Sequence, residues 1–177
     1  AVYSDTGATW STAVALSGGN VQGAWPAVAP NGDVYISWVH WDSYPSGPID
    51  IEATRSTNGG VSYTPITNPL SDAVNPRDAT ATGNCGRPAI NGDIRYLPSP
   101  QIAVDPSGVV HVVYSYDPDG YNTGDVINVY YRRSLNQGAT WGPEVLLNDD
   151  GTLTDQWFPS LSGSDSAVST AWYDRRL

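Results

Sequence analysis

The chain has 177 residues, with 18 acidic against 8 basic side chains, a formal charge of −10 and a pI near 4.2. That length carries one domain, two at most, and the charge argues against a nucleic-acid partner, because binding phosphates needs a basic stripe that so few cations cannot build. No run approaches the apolar length of a bilayer-spanning helix and no apolar leader opens the chain, so the expectation is a soluble domain without a membrane span, any signal peptide already removed.

All basic residues are arginines and methionine is absent, which points to a processed chain or a fragment; Cys85 is the single cysteine, so no intrachain disulfide forms. Glycine (18) and proline (14) punctuate segments rich in Val, Ile, Thr, Tyr and Trp, and no long window shows helical periodicity. The pattern predicts an all-β fold of many short strands. Charged residues make up only 15% of the chain, and that fraction with a large imbalance fits a secreted or salt-adapted acidic protein.

In chain order, the first element is a turn, Tyr3 to Trp10, which recurs at Ser56 to Tyr63 and Ser134 to Trp141 as S-x-[DN]-x-G-x-[ST]-[WY], with only Tyr3 departing at the first position. Asp5, Asn58 and Asn136 fold a side-chain oxygen onto backbone N–H groups, Gly7, Gly60 and Gly138 take positive φ, and Thr9, Ser62 and Thr140 close a second bond. Trp10, Tyr63 and Trp141 then open the outgoing strand with a ring large enough to fill the gap between sheets.

A second repeat alternates with the first. Trp25-Pro26 to Asp42, Ser99-Pro100 to Asp117 and Phe158-Pro159 to Asp174 each begin at a proline, turn at a Gly/Asp/Ser cluster and end on an aromatic residue followed by Asp, with Pro-to-Asp separations of 16, 17 and 15 residues. Residues 25–67 read as strands A (26–29), B (34–41), C (50–55) and D (63–67); residues 99–147 repeat them. Residues 1–16 supply a half unit (C, turn, D) and 158–177 the complementary half (A, B), while 68–98 is an insertion. Four-stranded units repeated radially build a β-propeller.

The turn resembles the Asp-box, or BNR repeat, and the hairpin ending in Tyr173-Asp174-Arg175-Arg176 is similar to extracellular BNR-repeat proteins of the sialidase-like superfamily. The resemblance covers the chain outside 68–98. It implies a propeller of three blade equivalents, two complete blades and two half blades. Three blades cannot close a ring, so the chain is expected either to be cut from a longer propeller or to pair as a homodimer, half of a six-bladed ring. In this superfamily Asp-boxes are structural and lie opposite the active face, which directs attention to the B–C and D–A loops.

On that face the resemblance offers a sialidase set: Arg87, Arg95 and Arg175 as a carboxylate clamp, Asp42 or Asp117 as acid, Tyr44 or Tyr121 as nucleophile. The family's Arg-Ile-Pro motif has no counterpart, and the only glutamates, Glu52 and Glu144, sit in a C strand and beyond a turn on the other face. The favoured expectation is therefore a secreted, non-catalytic module presenting a glycan- or protein-binding face built from Trp41, Tyr44, Tyr116, Tyr121, Tyr173 and Arg175. An exo-acting glycoside hydrolase of the sialidase type is the alternative, and a purely structural assembly protein a third. No cofactor is required. Asp117, Asp119, Asn122 and Asp125 gather oxygens suited to Ca2+, although an Asp/Gly loop also bonds its own backbone; Asn148-Asp149-Asp150-Gly151 with Asp155 is a sparser cluster. His40 and His111 read as packed imidazoles in B strands.

Overall fold

The computed structural model describes residues 7–44, 47–73, 89–90, 94–118, 127–164 and 167–176, and these contain strands, turns and no helix. Asp5, Arg87, Tyr121, Asp119, Asn122, Asp125 and Cys85 lie outside the described residues.

The first sheet holds β1 (Asn20–Val28), β2 (Val34–Trp41), β3 (Ile49–Ser56) and β4 (Thr64–Ala73), hydrogen-bonded in that order. After the short pair β5 (Ala89–Ile90) and β6 (Ile94–Arg95) comes the second, of β7 (Gln101–Val104), β8 (Val110–Tyr116), β9 (Asn128–Ser134) and β10 (Val145–Leu146), again a simple antiparallel meander. A third, two-stranded sheet pairs β11 (Gln156–Gly163) with β12 (Val168–Asp174). Strands A to D of each repeat thus become consecutive strands of one sheet, as in propeller blades, and the chain is an all-β partial propeller.

Several boundaries differ from the sequence expectation. β1 begins at Asn20, ahead of the expected Pro26, because the chain pairs with β2 on both sides of a bulge between Gln22 and Trp25; β11 repeats the device between Trp157 and Ser160. Bulges absorb the unpaired residues and allow a proline in the strand. β4 continues to Ala73 through two further irregularities against β3, which takes six residues out of the expected insertion. Residues 7–19 form no strand. Both edges of β2 are occupied, and the segment instead lines a cleft of about 570 Å3 with Val34, Ile36 and Tyr63.

The core lies between blades. Val39, Trp41, Ile49, Ile51 and Ala73 of the first sheet meet Val112, Tyr114, Tyr116 and Tyr130 of the second, and Tyr35 and Ala53 meet Ile102 and Val110 below them. Strands buried on both faces read as continuous apolar runs, and β8 is buried at every position. β11 packs against β7, β8 and β9, and Tyr96, Ile127 and Trp157 seal that joint.

The recurrent turns are superimposable in their bonding. The Ser56 and Ser134 hydroxyls donate to Asn58 Oδ1 and Asn136 Oδ1, both at 2.9 Å, and accept from the N–H groups of Gly60 and Gly138 at 2.9 and 2.8 Å. The same amide oxygens accept from Ser62 N and Thr140 N at 2.9 Å, while the amide nitrogens donate to Ser62 Oγ and Thr140 Oγ1 at 2.8 and 2.9 Å. Gly138 sits at φ 89° with its Cα against Ile66 of the preceding blade, where a Cβ would lie 2.3 Å from Ile66 Cδ1. Asp33 of the A–B turn accepts from Arg55, and Arg55 Nη1 donates to Gln137 of the next turn at 2.7 Å, so both turn types share one end of the blades.

Candidate functional site

The opposite end is where β2, β8 and β12 deliver their aromatic-Asp pairs. The strands carry Trp41, Tyr116 and Tyr173 to equivalent positions, but neighbours treat the three rings differently. Trp41 is fully buried, in edge contact with Tyr44 at 5.4 Å between ring centroids, and its Nε1 has no hydrogen-bond partner among the described residues. Tyr116 is buried against Tyr130, at 4.8 Å. Both were expected on a ligand-binding surface. They are core residues instead, because a blade covers each of them and burial of large rings between sheets outweighs their exposure. Tyr44 packs at the edge of the same core.

Glu144 follows its turn at the other end, and its carboxylate accepts across the sheet from Tyr114 at 2.6 Å and Tyr116 at 3.0 Å. Burial pushes both phenols above their ordinary range, and the Glu144 charge adds to the effect. A phenol so held is a hydrogen-bond donor at neutral pH.

Tyr173 is the exposed member, at 64% of its surface. Its ring stacks on Trp157 at 5.8 Å and 17° and meets Phe158 edge-on at 6.4 Å. Trp157 in turn packs on Tyr96 and Ile127, so the exposed face rests on a rigid aromatic column. Trp157↔Tyr173 is a cross-strand pair in the ladder of β11 and β12, and such pairs fix ring geometry.

Charged groups surround this ledge. Arg175 Nη1 lies 3.4 Å from Asp155 Oδ2, with 41% of its side chain exposed. Arg176 pairs with Asp174 at 2.6 Å and with Asp149 at 2.9 Å. The guanidinium hydrogen bond holds the Asp174 carboxyl down at about 2. Asp150 is also held low, first by the Thr152 hydroxyl and then by Asn148. Gln156, fully buried, donates to Asp150 at 3.2 Å.

Behind the ledge, Tyr96 donates its hydroxyl to the Ser115 carbonyl. Burial pushes this phenol well above its ordinary range, and the negative charges of Asp117 and Asp155 act in the same direction. Both carboxylates are buried.

The structure therefore brings Asp117, Asp155, Tyr96 and Arg175 into one neighbourhood, at the joint between the second and third sheets. Asp42, at the end of β2, is exposed in another. Arg95 lies in β6, and Asp117 is the described member of the loop expected to hold Ca2+. Trp157 and Phe158 were not nominated from sequence as ligand-facing, and Asp155 was named only with the sparser Asn148-Asp149-Asp150-Gly151 cluster. Their position just before Pro159, opposite Tyr173 and Asp174 in the hairpin, was the available signal.

No protein-family model and no curated protein matches the chain. Among solved structures it is similar to a GH93 α-L-arabinofuranosidase of Fusarium graminearum with arabinobiose (TM-score 0.48, 22% identity) and to a variant of that enzyme's kind with an iminosugar inhibitor (0.49, 22%). It is also similar to an α-L-arabinanase of Penicillium chrysogenum with arabinobiose (0.44, 20%). The matches cover 80%, 80% and 78% of this chain, which spans only 37% of the length of each of those proteins.

Proposed function

We propose that the chain is a portion of an extracellular Asp-box propeller that recognises carbohydrate at the Tyr173 ledge. The observation that carries this reading is the ledge itself: an exposed phenol face stacked at 5.8 Å on Trp157, flanked by Arg175, Arg176 and Asp149. Sugar rings present one apolar face and a rim of hydroxyls. A flat aromatic surface receives the face, and fixed carboxylate and guanidinium groups bond the rim. The two matching turn networks support the Asp-box assignment, since the motif's hydroxyl, amide and glycine each perform the bond the motif implies. Completion of the ring, by a second copy or by further blades of a longer chain, is compatible with this reading only where the added blade leaves the Tyr173 face open, unlike the blades that cover Trp41 and Tyr116.

A second reading, glycoside hydrolysis, is favoured by one observation: Asp117, Asp155, Tyr96 and Arg175 converge beside the ledge, supplying two carboxylates and a cation of the kinds glycosidases use. The two readings separate by experiment. Calorimetric titration with arabinobiose, sialyllactose and neutral oligosaccharides, alongside release of p-nitrophenol from the corresponding glycosides, measures binding and turnover on the same sample. Binding lost in Tyr173→Ala without turnover supports recognition alone. Turnover that disappears in Arg175→Ala establishes hydrolysis, and the absence of both overturns the proposal.

A further inference from the structure

The first blade carries a group of side chains that the sugar-binding reading does not use. His40, Asp42 and Asp50 each offer one ligand atom, and these atoms lie within 4.8 Å of one another. His40 and Asp50 are directly opposed in the ladder between β2 and β3, and Asp42 follows two residues beyond His40, on the loop leaving β2. Successive side chains alternate along a strand, so the spacing of two returns Asp42 to the side of His40.

The imidazole is held but not satisfied. His40 Nδ1 is buried and makes no hydrogen bond among the described residues, although it lies 3.9 Å from Asp50 Oδ2 and 3.5 Å from Glu52 Oε1. An orphaned buried ring nitrogen is costly. The Asp50 separation exceeds hydrogen-bond length but suits two ligands of one ion: donors each about 2.1 Å from a metal stand about 3.4 Å apart at tetrahedral angles and somewhat more at wider ones. On the other edge of the ring lies Gly19, where an added Cβ would stand 3.4 Å from Nε2.

A supporting group is in place. Glu52 Oε2 accepts from Trp38 Nε1 at 2.5 Å and Ser17 Oγ at 3.1 Å, which anchors this carboxylate with its other oxygen toward His40. This carboxylate faces the same Nδ1 and not the ring's other nitrogen, so what it contributes is negative charge beside the site. Beside the group a cavity of about 340 Å3, lined by Gly19, Asn20, Val21, Gln22 and Tyr44, opens to solvent and offers an entry path.

We propose that His40, Asp42 and Asp50 bind a divalent transition-metal ion of the Zn2+ class. One imidazole with two carboxylates is a mixed nitrogen and oxygen set, which favours Zn2+ over Ca2+ or Mg2+, whose sites are built from oxygen alone. Three protein ligands leave a position for water. This site is separate from the Tyr173 ledge, on another blade, and does not depend on the chain binding sugar.

The test is calorimetric titration of the chelator-dialysed chain with ZnCl2, and separately with CaCl2 and MgCl2, with circular dichroism confirming the fold of each variant. Expected is one equivalent of Zn2+, binding weakened at least tenfold in His40→Gln and in Asp42→Asn, and unchanged in His111→Gln, the other histidine. Asp42 is exposed, so its variant folds even if a change at His40 does not. X-ray absorption of the loaded protein is expected to show a nitrogen and oxygen shell without sulfur. No Zn2+ binding, Zn2+ binding indifferent to Asp42→Asn, loss in His111→Gln, or preference for Ca2+ each overturns the assignment.

Discussion

Trp141 Nε1 donates to the carbonyl of Thr67 at 2.6 Å, tying the strand that leaves one blade's turn to the outer strand of the blade before it. Thr67 returns two bonds to the turn, from its N–H to Gly138 O at 3.1 Å and from its hydroxyl to Ala139 O at 2.9 Å. The turn is therefore a clasp between blades as well as a link within one. Trp141→Phe keeps a ring and loses the bond, an expected cost of about 1 kcal/mol; Trp141→Ala also loses the packing, for about 3 kcal/mol in all. Urea unfolding of the two variants separates the contributions.

Two turn glycines differ in what a side chain would meet: Gly59, whose counterpart in the other turn is Gln137 at φ 62°, and Gly138. Gly59 has φ 69° with nothing within 4 Å of a built Cβ, whereas Gly138 has φ 89° and Ile66 at 2.3 Å. Gly59→Ala is expected to cost about 1 kcal/mol, the left-handed penalty alone. Gly138→Ala adds overpacking against Ile66, for about 3 kcal/mol. Equal costs in thermal unfolding contradict the docking geometry.

Asn136 accepts two bonds through one oxygen and donates a third. Asn136→Asp preserves both acceptances and is expected to be milder than Asn136→Ala, which leaves Ser134 and the Thr140 N–H short of partners at a cost of about 2 kcal/mol. Parallel variants at Asn58 are expected to rank in the same order, read from denaturation midpoints.

The acid limb of stability follows from paired carboxyls. Asp174 is lowered from 3.8 to about 2, chiefly by Arg176. Asp33 is also low: burial opposes ionisation there, but Arg55 and Asn31 outweigh it. A depressed folded value means that the stabilisation is whole above the ordinary carboxyl range and is lost as pH falls from about 4 through 2. Urea midpoints measured from pH 6 to pH 2 are expected to drop in that window, with a smaller drop in Arg176→Gln. A drop confined to pH above 5 contradicts the pairing.

Tyr114 and Tyr116 share the Glu144 carboxylate, and burial first, then that charge, raises both phenols. Ultraviolet titration is expected to leave these two rings, and Tyr96, protonated until the protein unfolds in alkali. Glu144→Ala orphans two buried hydroxyls and is expected to cost about 3 kcal/mol. Glu144→Gln, which retains one acceptor oxygen, is expected to cost less.

The local pattern was legible in the residues themselves. Ser56, Asn58, Gly60 and Ser62 form their turn from bonds that span at most four positions, so their spacing alone specified it. The strand order also followed, because short Gly- and Pro-bearing loops can join only neighbouring antiparallel strands. Period-two alternation, however, says which residues share a side of a strand and not what covers that side. Trp41, Tyr116 and Tyr173 end equivalent strands. Packing against another blade buries the first two, while the third stays in solvent on Trp157. Long-range juxtapositions such as Tyr96 with Asp117 and Asp155, Glu144 with Tyr116, or Arg55 with Gln137 depend on how one sheet is rotated onto the next. That rotation is set by the summed packing of many side chains, a property no single stretch of sequence carries.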